Sequence, residues 1–159
     1  MAKFVLSVLV ENKFGVLARV SGLFSARGFN ISSLAVGETE DPEVSRMTIV
    51  VEADAKILDQ VKKQLNKLID VIKVQDLTGE DLIARELVII KISAANTKNR
   101  ESIIKIAETT GADVADVGKK TITIEETGDE HKINALVELL RPYGVVEMVR
   151  TGKVALQSE

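Results

Sequence analysis

Several residue types are missing or scarce in this sequence of 159 residues, and each absence excludes a class of protein. There is no cysteine, which excludes disulfides and thiolate metal sites. No apolar run approaches the roughly 20 residues that a membrane-spanning helix needs. Lys and Arg total 21 against 24 Asp and Glu, with 10 against 10 up to Leu77 and 11 against 14 after it. Neither half has the basic surface of a nucleic-acid-binding protein, and no Lys/Arg run indicates binding to an anionic membrane.

Tryptophan is also absent, and aromatic residues make up 3% of the chain, which argues against RNA binding through an aromatic sheet surface. No nucleotide-binding glycine loop, nucleophile elbow or metal-ligand spacing is present. The single histidine, His131, and the acidic cluster Glu38, Glu40, Asp41 and Glu43 are predicted to be solvated at a helix start and in a hairpin turn. We therefore predict no catalytic and no metal-binding residue, and the start of the chain, which lacks a signal-peptide pattern, favours a cytoplasmic protein.

Apolar residues make up 45% of the sequence, and their spacing predicts the same order of elements twice. The order is strand-helix-strand-strand-helix-strand, with a polar link at residues 78–81 between the repeats. The predicted elements of the first repeat cover residues 4–10, 16–27, 31–38, 45–53, 57–68 and 72–77, with Gly28 as a left-handed cap after the first helix. Those of the second repeat are 87–93, a helix capped by residues 97–99 and ended by Gly111, 113–117, 121–125, 133–140 and 145–150, followed by a short tail at 154–156. The pattern indicates an α+β protein of two tandem ferredoxin-like βαββαβ units, residues 1–78 and 79–159. The first strand is apolar on both faces, so its sheet needs a second cover besides the helices.

The stretch VENKFGVLARVSGLFSARGFNISSL turns from a strand into a helix within a few residues. Gly15 permits a positive φ, and the N–H groups of Gly15, Val16 and Leu17 are expected at the positive end of the helix, where an anion is favoured by about 0.3–1 kcal/mol. Asn12 adds an amide to the same turn. On spacing alone, a plain turn capped by Asn12 is the favoured explanation, because most strand-helix turns bind no ligand.

Residues 31–38 are predicted to form an edge strand, which invites pairing with a second copy about a two-fold axis. Within one chain Asn30 is expected about 20 Å from Gly15, because the first helix runs back along the sheet at 1.5 Å per residue. In a dimer, Asn30 and Ile31 of one chain approach residues 12–17 of the other. Such a site offers amide donors for a carboxylate, carbonyls for an ammonium and an apolar wall of Val16, Leu17 and Ile31, which suits a small aliphatic amino acid.

Two other functions fit parts of the same stretch. GVLAR, ending at Arg19, is similar to the phosphate cradle of acylphosphatases, small hydrolases that share this fold. That chemistry needs an Asn beside the Arg, and the predicted separation of Asn30 from Gly15 argues against it. The chain could also be a general amino-acid-binding module of another enzyme or of a transcription factor.

The segments LSVLVENKFGVLARVSGLFSARGFNISSL, DPEVSRMTIVVEAD, QLNKLIDVIKV, ARELVIIKI and RPYGVVEMVRTGKVAL resemble the regulatory (small) subunit of acetohydroxyacid synthase, also called acetolactate synthase. The resemblance implies an N-terminal ACT domain, a C-terminal ferredoxin-like domain and a homodimer that binds valine between paired ACT domains. It also implies a non-catalytic subunit of branched-chain amino acid biosynthesis that activates a catalytic large subunit and confers feedback inhibition. Thiamine diphosphate, Mg²⁺ and FAD would belong to that catalytic partner and not to this chain.

The resemblance also implies roles for individual residues. The effector loop would comprise Asn12, Gly15, Val16 and Leu17, completed by Asn30 and Ile31 of the partner chain. The sequence differs from the family where Glu and Thr are frequent after the Asn-Ile pair, because Ser32 and Ala35 stand there.

Overall fold

The structure, a computed structural model, describes residues 2–79 and 81–159. The elements are β1 (Ala2–Glu11), α1 (Val16–Ala26), β2 (Asn30–Glu38), β3 (Val44–Ala53), α2 (Ala55–Lys67), β4 (Val71–Asp76), β5 (Leu82–Ser93), α3 (Thr97–Thr110), β6 (Asp113–Val117), β7 (Thr121–Gly128), α4 (Glu130–Leu140), β8 (Val145–Arg150) and β9 (Val154–Gln157). The chain forms two compact units, and the predicted tandem βαββαβ order is confirmed.

The first unit is an antiparallel sheet in the order β2-β3-β1-β4. The register sets Leu6 opposite Ile49 and Val8 opposite Met47, so alternate residues of the two central strands share one face. That face packs against α1 and α2, and the predicted edge position of β2 is confirmed. The buried core residues are Leu6, Val8, Val10, Val16, Val20, Phe24, Met47, Ile49, Val51, Leu58, Val61 and Leu65.

Two glycines set the ends of α1. Gly15 precedes the helix with φ of 83°, and Gly28 follows it with φ of 72°, a region in which other residues are strained. The Gly28 N–H donates to the Ser25 carbonyl at 3.2 Å, and the Phe29 N–H donates to the Phe24 carbonyl at 3.2 Å. The predicted left-handed cap at Gly28 is therefore confirmed, and the cap returns the chain to the sheet at Asn30.

The opposite face of the first sheet is partly covered by β9. Thr48 is 3% exposed on this face, and its hydroxyl accepts a hydrogen bond from the Ala155 N–H at 3.4 Å. The Ser158 N–H donates to the Asp81 carbonyl at 2.7 Å, and β9 pairs with β5. The second cover that the sequence requires is thus supplied in part by the last strand of the same chain.

The second unit, Ala84–Gly152, is an antiparallel sheet in the order β6-β7-β5-β8 with α3 and α4 on one face. Its core is aliphatic and is built around Ile90, Ile92, Ile122 and Ile124, each 0% exposed. The side chain of Asn96 caps α3 by accepting from the Asn99 N–H at 2.8 Å, where the sequence indicated residues 97–99 as the source of the cap.

The units of the structure divide the chain differently from the predicted domains. The first unit extends to Ile83 and also includes Lys153–Glu159, because β9 returns to the open face of the first sheet. The domain bounds 1–78 and 79–159 stay a prediction.

Candidate functional site

The turn between β1 and α1 is fixed by backbone hydrogen bonds to both neighbouring strands. The Glu11 N–H donates to the Asp70 carbonyl at 2.8 Å, and the Asn12 N–H donates to the Glu43 carbonyl at 2.7 Å. These bonds hold the turn at the corner of the sheet where β3 and β4 begin. The position of the helix start is therefore determined by the sheet and does not depend on a capping side chain.

Asn12 does not cap α1, which corrects the simplest interpretation of its sequence position. Its side-chain amide donates to the Glu38 carboxylate at 3.2 Å and to the Pro42 carbonyl at 2.9 Å. The amide therefore links the turn to the end of the edge strand β2. The Asn12 side-chain oxygen makes no hydrogen bond within residues 2–79 and 81–159, so it faces solvent as an acceptor.

The first turn of α1 presents backbone donors to solvent. Gly15 occupies the N-cap position without a side-chain cap. The Val16 N–H donates weakly to the Lys13 carbonyl at 3.4 Å, and the N–H groups of Leu17 and Ala18 find no acceptor in the described ranges. Free donors at the positive end of a helix favour an anion.

The apolar residues of this turn divide between the core and the surface. Val16 is 2% exposed and packs in the core, so its side chain supports the turn from inside and does not line an apolar wall, contrary to the sequence-based expectation. Leu17 is 46% exposed, and Phe14 is fully exposed. The surface beside the free amides is thus apolar because of Leu17 and Phe14.

Arg19 lies over Gly15, a relationship that sequence reasoning missed. Its Nε donates to the Asp70 Oδ2 at 2.8 Å, and the Asp70 side chain is 9% exposed. A Cβ added at Gly15 would lie 3.0 Å from Arg19 Nη1. The guanidinium therefore adds positive charge directly beside the free amides of the helix start. The i, i+4 spacing of Gly15 and Arg19 indicates that they share a helix face, but nothing in the sequence links Arg19 to Asp70.

The Arg19–Asp70 ion pair also bears on the hydrolase alternative. A phosphate cradle needs the guanidinium for the substrate, and here a buried carboxylate already holds it. Asn30, the residue that would orient water, lies far from this turn. The structure therefore gives the acylphosphatase interpretation no support.

Lys13 adds a second cation to the turn. Its Nζ lies 2.7 Å from the Glu11 carboxylate, and that hydrogen bond raises the pKa of Lys13 above its ordinary value of 10.5. The side chain is therefore protonated at any physiological pH. Lys13 and Arg19 are thus each paired with a carboxylate, that of Glu11 and that of Asp70, so the free backbone amides are the anion-favouring feature of the turn.

Asn30 and Ile31 lie at the other end of the sheet. Asn30 is level with Glu52, which is level with Lys3 at the start of β1, whereas Glu11 ends β1 opposite Val44. Eight residues of strand separate the two ends, or about 27 Å at 3.4 Å per residue. Within one chain, Asn30 and Ile31 therefore lie far from the turn, in agreement with the sequence-based prediction. Asn30 is exposed and Ile31 is half-buried on the edge strand.

Other polar groups considered in the sequence do not converge. His131 is exposed in the first turn of α4, whose cap is Asp129, with its side chain accepting from the Lys132 N–H at 2.8 Å. In the part of the chain that the structure describes, no group of His, Asp and Glu side chains is arranged to hold a metal ion. Among the same residues, no helix is long and apolar enough to cross a membrane.

Comparison with known proteins follows the division into two halves. Residues 6–73 match the family model of the AHAS small subunit-like ACT domain, and residues 85–159 match the model of the small subunit of acetolactate synthase. A probable acetolactate synthase small subunit from Archaeoglobus fulgidus is 53% identical over 97% of this chain and 96% of its own length. The acetolactate synthase small subunit of Aquifex aeolicus is 48% identical over 99% of this chain and 82% of its own length.

A solved structure has the same fold throughout. The crystal structure of the acetolactate synthase small subunit from Thermotoga maritima superposes with a TM-score of 0.89 at 37% identity, covering 100% of this chain and 99% of that chain.

Proposed function

This chain belongs to the acetolactate synthase small-subunit family, and on that premise we propose that it is a homodimeric regulatory subunit that binds valine and transmits feedback inhibition to a catalytic large subunit. Membership of this family supports a regulatory role and implies a catalytic partner. The dimer, the effector and the activation of the partner are the proposal, and the contacts around β2 support them.

The observation that carries the proposal is the hydrogen bond between Asn12 and Glu38. Glu38 is the last residue of β2, and Asn30 is the first. If two copies of β2 pair antiparallel about a two-fold axis through Leu34, Asn30 of one chain lies opposite Glu38 of the other. The Asn12 amide of that second chain is already held on Glu38. Dimerisation through β2 would therefore bring Asn30 and Ile31 to the turn of the partner chain.

Strand β2 has the properties of an edge that pairs. Its sequence NISSLAVGE has no Lys, Arg or Pro, the residues that commonly prevent edge-to-edge association. Val36 is 46% exposed on the helix-facing side of this strand, and Ile31 and Leu34 are half-buried. Pairing of two such strands would cover this apolar surface and join the two sheets.

The site at this interface would bind a zwitterion by its two ends. The free N–H groups of Leu17 and Ala18 face the carboxylate, with Arg19, whose Nε is held by Asp70, lying beside them. The Asn12 side-chain oxygen accepts from the ammonium. The exposed side chain of Leu17 and Ile31 of the partner chain contact the aliphatic part. Burying a valine-sized group contributes about 1.5–3 kcal/mol, and charge-assisted hydrogen bonds contribute about 1.5–3 kcal/mol each. After the cost of ordering, a Kd of about tens of micromolar is expected.

Inhibition would follow from linkage. Valine at the interface favours one arrangement of the paired units, and the catalytic subunit binds more tightly to another, so the effector and the partner change each other's affinity by the same factor. The reaction itself, with thiamine diphosphate, Mg²⁺ and FAD, is assigned to the catalytic subunit.

The decisive experiment combines the purified chain with its catalytic subunit. We expect the chain to raise acetolactate formation, valine to reverse that increase, and calorimetry to detect valine binding to a dimer. If the dimer gives no heat with valine, alone or with the catalytic subunit, the effector assignment is wrong. If the dimer binds another amino acid and captures a different enzyme, the general amino-acid-binding module is correct.

A further inference from the structure

A groove of about 610 Å³ lies on the open face of the first sheet, on the side away from α1 and α2. Its floor is formed by β2 and β3, and one wall is formed by β9. The residues that define it are Ala35, Gly37, Arg46, Thr48, Val154 and Leu156. All of them belong to the first unit, and none of them contacts valine in the site proposed above. Glu38, which holds the Asn12 amide, also lines the groove.

The groove exists because the residues of β2 that face it are small. In register, Gly37 lies opposite Arg46 and Ala35 lies opposite Thr48, so β2 contributes almost no side-chain volume on this face. A Cβ placed on Gly37 would have no atom within 4 Å. On the other side, Val154 and Leu156 are 49% and 55% exposed, which leaves an apolar wall open to solvent.

Among the residues that the structure describes, Arg46 is the one cation that lines this groove. It is half-buried, and its Nη1 donates to the Ser7 hydroxyl at 2.6 Å, with Ser7 itself 2% exposed. Within the described residues Arg46 forms no ion pair, although it has five N–H donors. A guanidinium that is anchored on one nitrogen and free on the others is prepared to receive a carboxylate.

The geometry points to a second ligand site, separate from the turn at the start of α1, in which this groove on the open face of the sheet binds an aliphatic carboxylate. The carboxylate pairs with the free N–H groups of Arg46, and the hydrocarbon chain lies along Ala35, Val154 and Leu156. The volume is within the range of about 300–1,000 Å³ that is typical of small-molecule sites. Glu38 and Glu40, both exposed, line the same groove, so a ligand that also carries an ammonium would meet opposite charge there.

Three probes with the same six-carbon skeleton test the proposal on the full-length chain. Hexanoate supplies the carboxylate, norleucine supplies the carboxylate and an ammonium, and hexylamine supplies the ammonium alone. Ile83 also lines the groove, and we expect hexanoate or norleucine to shift the methyl NMR signals of Ile83, Val154 and Leu156 in a saturable way, with a Kd of about 1 mM or below. Tighter binding of norleucine identifies an amino acid as the ligand class, and tighter binding of hexanoate identifies an acid without an amine.

Two variants examine the two halves of the site. Arg46→Gln should weaken binding about tenfold, the effect of losing one charge-assisted contact. Gly37→Leu fills the groove while Arg46 stays in place, and it should abolish the shifts. Arg27→Gln and Gly22→Leu are the matched controls, because Arg27 is exposed and a Cβ on Gly22 also meets no atom within 4 Å. Thermal unfolding by circular dichroism verifies that all four variants fold.

Several results would overturn this second site. One is equal binding of hexylamine and hexanoate, and another is unchanged binding in Gly37→Leu. A third is the absence of saturable shifts while the catalytic subunit alone protects the same methyl groups, which would make the groove a protein-docking surface. Arg46 lies on β3 and not on the proposed dimer edge β2, so valine binding by Arg46→Gln reports separately on the effector site. Gly37 lies on β2, so its variant is read for hexanoate and norleucine binding only.

Discussion

Arg19 donates a hydrogen bond from Nε to the Asp70 carboxylate at 2.8 Å, and this ion pair ties the first turn of α1 to the start of β4. The arginine side chain is 49% exposed, whereas the aspartate side chain is 9% exposed. Removal of Asp70 would therefore leave a cation in contact with water, and removal of Arg19 would leave an anion that is nearly buried. Without Arg19, a nearly buried carboxylate loses its only ion-pair partner in the described part of the chain.

We predict that Arg19→Gln lowers the free energy of unfolding by about 1–2 kcal/mol, less than for a fully buried pair because water screens the exposed guanidinium. The double variant Arg19→Gln/Asp70→Asn should recover about half of that loss, because no charge is then left unpaired. Urea unfolding of the two single variants and the double variant gives the coupling energy. Additive effects would show that the pair does not stabilise the turn.

Gly15→Asp tests the anion site at the helix start. A carboxylate there would lie beside Arg19 Nη1 and the free amides, so it should occupy the position of the effector carboxylate and abolish valine inhibition. Gly15→Asn is the matched control, because Asn has the same shape, tolerates positive φ better than most residues and carries no charge. We expect Gly15→Asn to retain partial sensitivity in assays with the catalytic subunit. Equal valine sensitivity of Gly15→Asp and the unmodified chain would exclude this turn as the effector site.

Val36→Lys tests whether β2 is the dimer interface. A lysine on an edge strand discourages pairing, and Val36 is 46% exposed, so the substitution should not disturb the core. We expect light scattering to show a shift from dimer to monomer together with at least tenfold weaker valine binding. Val117→Lys is the control, since Val117 is 58% exposed on the edge strand β6 of the second unit. A Val36→Lys variant that remains dimeric would place the interface elsewhere.

The lowered pKa of Asp76 should make the free energy of unfolding depend on pH. Burial alone would raise its pKa, but the hydrogen bonds from Thr78, whose N–H lies at 3.0 Å, and from Lys62 at 3.3 Å outweigh burial and lower the pKa below 3.8. Because the folded pKa is the lower one, the ionised group stabilises the fold above its unfolded pKa. That contribution is lost as pH falls through the folded value.

We therefore expect Asp76→Asn to be less stable than the unmodified chain by about 1 kcal/mol at pH 7, with a difference that shrinks on acidification below about pH 4. Thermal unfolding across this range measures the effect. Asp59→Asn is the control, because the Asp59 carboxylate pairs with the same lysine but its side chain is 68% exposed. A difference that stays constant with pH would show that the Asp76 charge does not contribute.

The sequence was sufficient for most of the fold because its apolar periodicity is regular. Met47, Ile49 and Val51 face the helices as their alternation predicts, and Gly28 and Gly111 end α1 and α3 in the left-handed conformation. The start of β5 at Leu82, five residues before the predicted start, was not recognisable, because its extension depends on contacts at residues distant in sequence. The same reason explains why β9 appeared in the sequence only as a short tail.

The candidate site was predicted only in part. The spacing within residues 10–34 predicted the turn at Gly15 and the free backbone amides that follow it. The predicted topology placed Asn30 at the far end of the sheet. The partners of Asn12 and Arg19 were missed, since Glu38 and Asp70 are 26 and 51 positions away and no local pattern connects them. The helical periodicity is consistent with Val16 in the core, but it is also consistent with Val16 in the apolar wall of a ligand site. The pattern alone therefore did not decide between these two positions.

The return of Lys153–Glu159 makes the first unit discontinuous in sequence, because the second unit is inserted between its two pieces. Deletions from the C-terminus would therefore expose Thr48 and its surroundings in the N-terminal half before they remove any strand of the second unit. A loss of regulation in such a truncation would report on the first sheet. To isolate the first unit cleanly, a variant should excise residues 84–152 and rejoin the flanking ends with a short linker.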